Sequence, residues 1–314
     1  NFNLTTVTSS AIGPARMTRD WIWSSDGSEV WYFNRPDTAT SGTWAENIYT
    51  GRIRWLSPYW GHFSPSRNCI VRTNSDERTT VIIDLVSRRQ QTINSSIDQL
   101  SFHPSEQLFA VTRRRTGTEH PSMRPCDVEI MHRDGSTSQH IATLLGKVAG
   151  WVNNDLLALV GHQNLSGPAI LSVVDTDGNP WREWELCSHI RDFQLSPSGR
   201  FASYTSIFSS SGENGQFIID VSSGRRTAVQ TPSNVRWLPD ESGLIYLTTQ
   251  RNSGGGFDFW FAPLPWSKPT LCLTEHMDDP VRMESFDWKI NPRGNALAYR
   301  TERTLRLHTI SWSE

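Results

Sequence analysis

A short turn motif recurs through the chain and constrains its fold more than any other feature. Each copy has Pro or a small polar residue, then one or two polar residues and often Gly, and an apolar run follows it. The copies, located by the residue in the Pro position, are Ser25, Pro65, Pro104, Asn153, Pro197, Pro239 and Pro292. Consecutive copies lie 39 to 53 residues apart, and a period of roughly 40–50 residues is typical of propeller blades with four strands each.

Each copy also carries the strand pattern of one blade. Asp26-Gly27 indicates a tight turn, because Gly adopts positive φ at no steric cost. The apolar runs at 30–33, 156–160 and 244–247 lack alternation, which is typical of a strand buried on both faces. More polar segments such as 181–186 predict the outermost strand of a blade. The sequence therefore predicts an all-β protein.

The copies together predict a seven-bladed β-propeller of four-stranded antiparallel blades, in a single domain over residues 1–314. The predicted blades are about 19–57, 58–95, 96–145, 146–187, 188–230, 231–274 and 284–312. The last blade lacks a fourth strand, whereas segment 2–8 at the N-terminus alternates and is rich in Thr. We therefore predict that segment 2–8 pairs with the last blade and closes the ring, which would remove two open sheet edges.

The best preserved copy, Ser196-Pro197-Ser198-Gly199-Arg200-Phe201-Ala202, resembles the repeat of TolB-like β-propellers. The same repeat builds the propeller of prolyl-oligopeptidase-type peptidases, and the resemblance covers about Asp20 to Ile310. It implies the fold rather than one activity, because such propellers serve as protein-docking scaffolds, peptidase gates, sugar-acid lyases and ligand binders. The chain has no Gly-x-Ser-x-Gly motif, so we do not expect the accompanying peptidase in it.

The first strand of each blade is predicted to line a central channel. Apolar and polar residues alternate along these strands, so one face packs between blades and the other points into the channel. The polar positions are Asp20, His62, Gln99, Ser101, Asp192, Gln194, Asn234, Arg236, Asp287 and Lys289. One hypothesis is a binding site at the channel mouth, with an anion on Arg236 or Lys289 and proton transfer by His62. The alternative is a hydrated plug whose charges satisfy one another.

These positions and the longer loops supply the candidate site residues. The candidates for catalysis are His62, Lys289 and Arg236. The candidates for ligand binding are Asp20, Trp60, His62, Asp192, Gln194, Arg236, Asp287, Lys289, His162 and His276. The acidic loop 274–285 contains His276, Asp278 and Asp279, which suit a divalent metal, although a solvated surface loop is the alternative. Sugar-acid lyases of this fold hold a metal with His and Gln; His62, His162 and Gln163 are the nearest candidates, but their spacing does not match. The sequence requires no cofactor.

Composition excludes some partners. The formal net charge is −2 and 20% of residues are charged, which argues against a nucleic-acid partner, because such partners need a clustered basic surface. The longest apolar runs have about five residues against the roughly 20 that span a bilayer, so no membrane insertion is expected. The chain starts at Asn1 rather than Met, as expected of a processed or trimmed chain. The compartment is not readable from it, and a secreted or periplasmic location is slightly favoured over a cytoplasmic one.

The four cysteines, Cys69, Cys126, Cys187 and Cys272, lack the spacing of a metal site. Cys69 and Cys126 fall on neighbouring predicted blades, so a disulfide between them is an alternative to the free buried thiols that we favour.

Three functions follow as hypotheses. The first is a binding module that docks a protein, a peptide or a small-molecule ligand on its loop-rich face and channel mouth, with aromatic anchors such as Trp44, Tyr59 and Trp60. The second is an enzyme at the channel mouth, either a metal-assisted lyase or hydrolase or a cyclase or isomerase. The third is a lectin, which would repeat one aromatic and polar site in every blade; the differing loops rank it last.

Overall fold

The structure is a computed structural model of the 314-residue chain. It describes residues 2–3, 11–12, 21–33, 39–74, 77–115, 117, 124–136, 138–164, 167–207, 214–229, 234–248, 255–266, 268–275, 281–283, 286–301, 305–309 and 311–312. Within these ranges, all regular secondary structure is β-strand. The chain divides into two compact units: unit 1 contains residues 1–60 and 231–314, and unit 2 contains residues 61–230.

The strands are numbered in chain order. The first group is β1 (Phe2–Asn3), β2 (Ala11–Ile12), β3 (Trp21–Trp23), β4 (Glu29–Phe33), β5 (Thr43–Asn47), β6 (Ile53–Ser57), β7 (His62–Phe63), β8 (Cys69–Asn74), β9 (Thr79–Asp84), β10 (Gln90–Ile93), β11 (Gln99–Phe102), β12 (Leu108–Arg114), β13 (Cys126–His132) and β14 (Ser138–Trp151). The second group is β15 (Leu156–His162), β16 (Ala169–Asp175), β17 (Pro180–Glu185), β18 (Ile190–Leu195), β19 (Phe201–Ser206), β20 (Gly215–Asp220), β21 (Arg226–Val229), β22 (Val235–Trp237), β23 (Gly243–Leu247), β24 (Phe259–Pro263), β25 (Leu271–Cys272), β26 (Trp288–Ile290), β27 (Ala296–Arg300), β28 (Leu305–Thr309) and β29 (Ser311–Trp312).

In unit 1 the strands form three four-stranded antiparallel sheets. Their orders are β3-β4-β5-β6, β22-β23-β24-β25 and β2-β28-β27-β26. In addition, β1 pairs with β29 in a separate two-stranded sheet. Each four-stranded sheet begins with a short strand just before a copy of the turn motif, as the repeat predicts.

In unit 2 there are two four-stranded sheets and one larger sheet. The four-stranded orders are β10-β9-β8-β7 and β18-β19-β20-β21. The larger sheet has seven strands in the order β11-β12-β13-β14-β15-β16-β17. It contains two copies of the turn motif, because β14 continues from the outermost position of the third repeat to the innermost position of the fourth.

The prediction of seven separate four-stranded blades is therefore wrong. Among the residues that the structure describes, there are five separate four-stranded sheets, one continuous seven-stranded sheet and the two-stranded sheet of β1 and β29. The cause is β14, whose 14 residues run without interruption where the sequence predicts a boundary between blades at 145 and 146. Residues 138–144 of β14 pair with β13 and residues 145–151 pair with β15, so one continuous strand links the two repeats in a single sheet.

The described N-terminal residues pair with two strands near the C-terminus, and residues 4–8 of the predicted strand lie outside the described residues. Ala11 and Ile12 pair with Arg306 and Leu305 at the edge of the last four-stranded sheet. Phe2 and Asn3 pair instead with β29, outside that sheet. The strand that completes the last four-stranded sheet is therefore β2, which follows the predicted segment 2–8 in the chain.

Most turn copies share one backbone conformation, and residues other than Gly also adopt it. In six of the seven turns an amide donates back to the carbonyl three residues earlier, as from Gly199 to Ser196 at 2.9 Å; in the copy at Asn153 the Asp155 amide donates instead to the Asn153 side chain. In those six turns the donor residue has positive φ, which Gly adopts easily. Arg67, Glu106 and Glu241 occupy this position at φ of 65°, 58° and 57° and make the same hydrogen bond.

The core consists of apolar layers between neighbouring sheets within each unit. In unit 1, Trp21 and Trp23 pack with Ala298 and Leu307. In unit 2, Leu171 and Tyr204 belong to one such layer. Inner strands supply these layers because both of their faces are covered, and β23 is buried at all five positions.

Cys69 and Cys126 are buried, and all four cysteines are free thiols. Burial raises the pKa of the Cys69 thiol to about 11, so the thiol stays protonated and packs as a small apolar group.

Candidate functional site

The first strands of two sheets in unit 1 are joined by polar side chains. The indole Nε1 of Trp21 donates to Asp287 Oδ2 at 3.0 Å. The ammonium of Lys289 donates to the backbone carbonyl of Trp21 and lies 4.8 Å from the centroid of its ring. In return, Trp23 Nε1 donates to the carbonyl of Lys289 at 3.3 Å. Strands β3 and β26 thereby fix the positions of one cation and one carboxylate.

A second cation contacts the same carboxylate. The Arg300 side chain lies at the end of β27, and its Nε is 3.2 Å from Asp287 Oδ2. The Arg300 amide also donates to the Asp287 carbonyl at 2.9 Å. The two side chains are 21% and 18% exposed, so the pair is partly shielded from water. Such shielding strengthens the attraction between charges.

A third cation lies on the other side of β26. The guanidinium carbon of Arg236 is 5.2 Å from the ring centroid of Trp288, a distance typical of a cation–π contact. Arg236 also donates to the Val235 carbonyl at 2.8 Å. Side chains alternate along a strand, so Trp288 faces away from Asp287 and Lys289. Arg236 and Lys289 therefore flank β26 from opposite faces.

We call these four charged residues, Arg236, Asp287, Lys289 and Arg300, the cationic cluster. It contains three cations and one carboxylate, all partly exposed. Side chains with this charge excess attract an anion, and fixed donors on a rigid sheet reduce the reorganisation needed to bind it.

Phe286 precedes the cluster in a strained conformation. Its φ is 52°, which is unusual for a bulky side chain, and the residue is 38% exposed. The ring centroid lies 5.3 Å from that of Phe257. Strained and exposed residues concentrate at functional sites, so Phe286 joins the candidate site residues. The sequence carries no signal for it, because backbone strain at a bulky residue leaves no pattern.

Arg300 is also absent from the sequence-based candidates. It follows the apolar run 296–299 directly, and a charged residue at the end of an inner strand is a signal that could have identified it.

None of the contacts described for the cationic cluster involves the other candidate residues. In unit 1, Trp60 is partly buried, with its ring centroid 6.1 Å from that of Phe33. In unit 2, His62 is exposed on β7, and His162 Nδ1 lies 2.9 Å from the Gly167 carbonyl. Asp192 is exposed, with φ of 52°, at an irregularity in the pairing of β18 with β19.

Gln194 follows that irregularity and is partly buried. It pairs across the sheet with Ser203. Both Gln194 and Asp192 belong to unit 2.

Asp20, His276, Asp278 and Asp279 lie outside the described residues. Among the residues that the structure describes, no group of three or more His, Cys, Asp and Glu side chains is placed to hold a metal ion. The described part of the chain therefore does not fit a metal site, and the acidic loop stays a prediction. In the same part, no helix has the length and hydropathy needed to cross a membrane.

The sheets and their first strands define a β-propeller, and comparison with solved structures agrees. The chain is similar to an oligogalacturonate lyase in complex with manganese, with 12% identity, a TM-score of 0.70, and coverage of 99% of this chain and 96% of the other. It is similar to the same kind of enzyme from Vibrio parahaemolyticus, with 12% identity, a TM-score of 0.70, and coverage of 98% and 97%. For the propeller domain of the trilobed protease from Pyrococcus furiosus, identity is 12%, the TM-score is 0.51, and coverage is 97% and 80%.

These likenesses confirm the predicted resemblance to TolB-like and peptidase-type propellers at the level of the fold. At 12% identity they show the fold alone. No protein-family model matches the chain, and no curated protein matches it either.

Proposed function

We propose that this chain is a ligand-binding β-propeller and that its ligand carries anionic groups, which contact Lys289 on one face of β26 and Arg236 on the other. The observation that supports this function is the charge excess of the cationic cluster, with three cations to one carboxylate on the first and second strands of neighbouring sheets. Asp287 already accepts a hydrogen bond from Trp21 and forms an ion pair with Arg300, so its negative charge is shared between two partners.

The described contacts of Lys289 and Arg236 fix the positions of these two cations. Lys289 is oriented by a backbone carbonyl and an indole ring, and Arg236 by a carbonyl and a second indole ring. A backbone carbonyl and an aromatic ring orient each of these cations before a ligand binds. Binding to preorganised groups also loses less conformational entropy.

The test is calorimetric binding of two anionic probes, oligogalacturonate and inorganic phosphate, to the whole chain. We expect Lys289→Met and Arg236→Gln each to weaken binding by about tenfold, the value of about 1.4 kcal/mol for a lost charge-assisted contact. Lys289→Arg should retain most of the affinity. Binding should also weaken as salt is added.

The matched controls are Lys268→Met and Arg293→Gln, two substitutions of exposed cations in unit 1 outside the cluster. Equal weakening by the cluster variants and by these controls would contradict the proposal. Because Lys289 also contacts Trp21, each variant needs a thermal denaturation curve beside its binding curve.

Lyase activity is the second candidate function, supported by the likeness to a manganese-bound oligogalacturonate lyase over 99% of this chain. The described residues do not offer a manganese site, so this function rests on His276, Asp278 and Asp279. Its test is equilibrium dialysis of manganese against the chain and against His276→Ala. A stoichiometric ion that the variant loses would favour the lyase, and unchanged weak binding in both would contradict it.

A further inference from the structure

A polar cleft lies in unit 2, and no candidate site residue is among the described residues that line it. It opens between the turn that follows β9 and the two turns on either side of the β12–β13 hairpin, and its volume is about 440 Å³. This size is within the range of small-molecule sites, which is about 300–1,000 Å³. The described residues that line it are Ile82, Asp84, Ser87, Arg89, Gln90, Gln91, Gln107, His132, Arg133 and Asp134.

The walls of the cleft are held in place before any ligand arrives. Arg133 from one wall donates to Asp84 Oδ2 in the other wall at 2.7 Å. The Arg133 amide donates to the Gln107 carbonyl at 2.8 Å, which ties two turns of the same wall together. The cleft is therefore preformed, so little conformational entropy is lost when it is filled.

The packing of Gln91 adds to this rigidity. A Cβ atom on Gly135 would lie 3.0 Å from Gln91 Nε2 and 3.0 Å from Ile93. The side chain of Gln91 thus rests directly against the opposite turn, and the absence of a side chain at Gly135 leaves room for it.

The formal charges at the cleft balance. Two arginines, Arg89 and Arg133, are offset by two aspartates, Asp84 and Asp134. Both carboxylates also accept backbone hydrogen bonds within their turns, Asp84 from Ser87 at 2.7 Å and Asp134 from Ser136 at 2.9 Å. These hydrogen bonds lower the pKa of both carboxyls, so they stay charged. A cleft with no net charge does not favour an ionic ligand.

The remaining lining chemistry favours hydroxyl groups. Three glutamine amides and the Ser87 hydroxyl each contain a donor and an acceptor. Ile82 is the one apolar side chain among the described lining residues, and it is 4% exposed. A ligand therefore has to present donors and acceptors together, as a hydroxyl does, rather than an apolar surface.

We propose that this cleft binds a neutral, hydroxyl-rich ligand of the size of a monosaccharide or disaccharide. The site shares no residue with the cationic cluster, and it is formed by three turns rather than repeated in every repeat. It therefore differs from the repeated lectin site considered from the sequence.

The experiment uses the whole chain and a panel of neutral sugars: glucose, mannose, N-acetylglucosamine and maltose. Binding is detected by saturation-transfer NMR and its affinity measured by calorimetry. We expect at least one sugar to bind, and Gln91→Leu and Gln107→Leu each to weaken it by about fivefold, the loss for one neutral hydrogen bond of about 1 kcal/mol. Gln139→Leu replaces an exposed glutamine outside the cleft and should leave the affinity within about twofold.

Three results would overturn the proposal. The first is no signal from any of the four sugars at millimolar concentration with a chain that melts normally. The second is equal weakening by Gln139→Leu and by the two cleft variants. The third is binding of galacturonate or phosphate, but no neutral sugar, with loss of that binding in Arg89→Gln. Because the cleft and the cationic cluster share no residue, a failure here leaves the anion-binding result unaffected.

Discussion

Two junctions between neighbouring repeats are built in different ways. In unit 2, the third and fourth repeats are joined by backbone, because β14 serves both. In unit 1, the sheets that contain β3 and β26 are joined by side chains: Trp21 contacts Asp287, and Lys289 contacts Trp21. The first junction merges two repeats into one sheet, whereas the second leaves two sheets separate.

The difference shows that the connector, rather than the number of turn motifs, decides the number of sheets. In β14 the change from one repeat to the next occurs near Gly146, which pairs with Gly161 on β15. Two glycines facing each other allow two backbones to approach closely. In unit 1, the large side chains of Trp21 and Lys289 hold the two sheets together, and Lys289 also belongs to the cationic cluster. Of these two junctions, the one in unit 1 places charged side chains between two sheets.

The largest expected effect is at the backbone junction. A Cβ on Gly146 would lie 2.2 Å from the Val160 carbonyl oxygen and 2.5 Å from Gly161 Cα. Both are backbone atoms, so neither can rotate away. We expect Gly146→Ala to lower the free energy of unfolding by about 3 kcal/mol, as overpacking does in tight sites. Urea denaturation measures this loss.

Ser138→Ala is the control, because Ser138 is an exposed residue at the start of the same strand. Its effect should stay within about 0.5 kcal/mol. Hydrogen exchange would locate the loss of stability, and we expect faster exchange in unit 2. A Gly146→Ala chain as stable as the original would mean that β14 does not approach β15 so closely.

The side-chain junction should respond to the loss of one hydrogen bond. Trp21 is fully buried, and Trp21→Phe removes the donor to Asp287 Oδ2. Hydrogen bonds to charged groups contribute about 1.5–3 kcal/mol, so we expect a loss of about 2 kcal/mol in thermal or urea unfolding. Trp55→Phe is the matched control, since Trp55 lies in the same sheet and is 44% exposed. Equal losses in both variants would show that the junction does not depend on this contact.

Much of the fold follows from the sequence for a physical reason. The turn copies combine a spacing of 39 to 53 residues with an apolar run, and both reflect strands that must be buried. Even the copies with Arg67 and Glu106 in place of Gly adopt the same turn. The number of separate sheets does not follow in this way, because a continuous strand and two strands joined by a tight connection have the same alternation. Gly146 and Gly161 distinguish these two cases only in the structure, where they are seen to pair.

The candidate site was partly accessible from the sequence. Alternation along the first strands predicts that Asp287 and Lys289 share a face, and in the structure both contact Trp21. Arg300 comes from the second strand and Phe286 from the connection before β26, so no first-strand pattern includes them. Their roles depend on tertiary contacts and on backbone strain, which periodicity does not encode.

The smallest expected effect concerns the contacts of β13 with the first half of β14, residues 138–144. Asp127 on β13 accepts hydrogen bonds from Arg115 and from Thr143 of β14, at 2.8 and 2.7 Å. The Arg115 hydrogen bonds lower its pKa from 3.8 to about 2. This stabilisation is therefore present above about pH 4 and is lost as the pH falls towards 2. Asp127→Asn should cost about 0.5 kcal/mol at pH 7, since solvent screens an exposed pair, and nothing near pH 2. Unfolding curves at both pH values measure the difference, with Asp155→Asn as the exposed control. A cost that persists at pH 2 would contradict an electrostatic origin and leave side-chain packing as the cause.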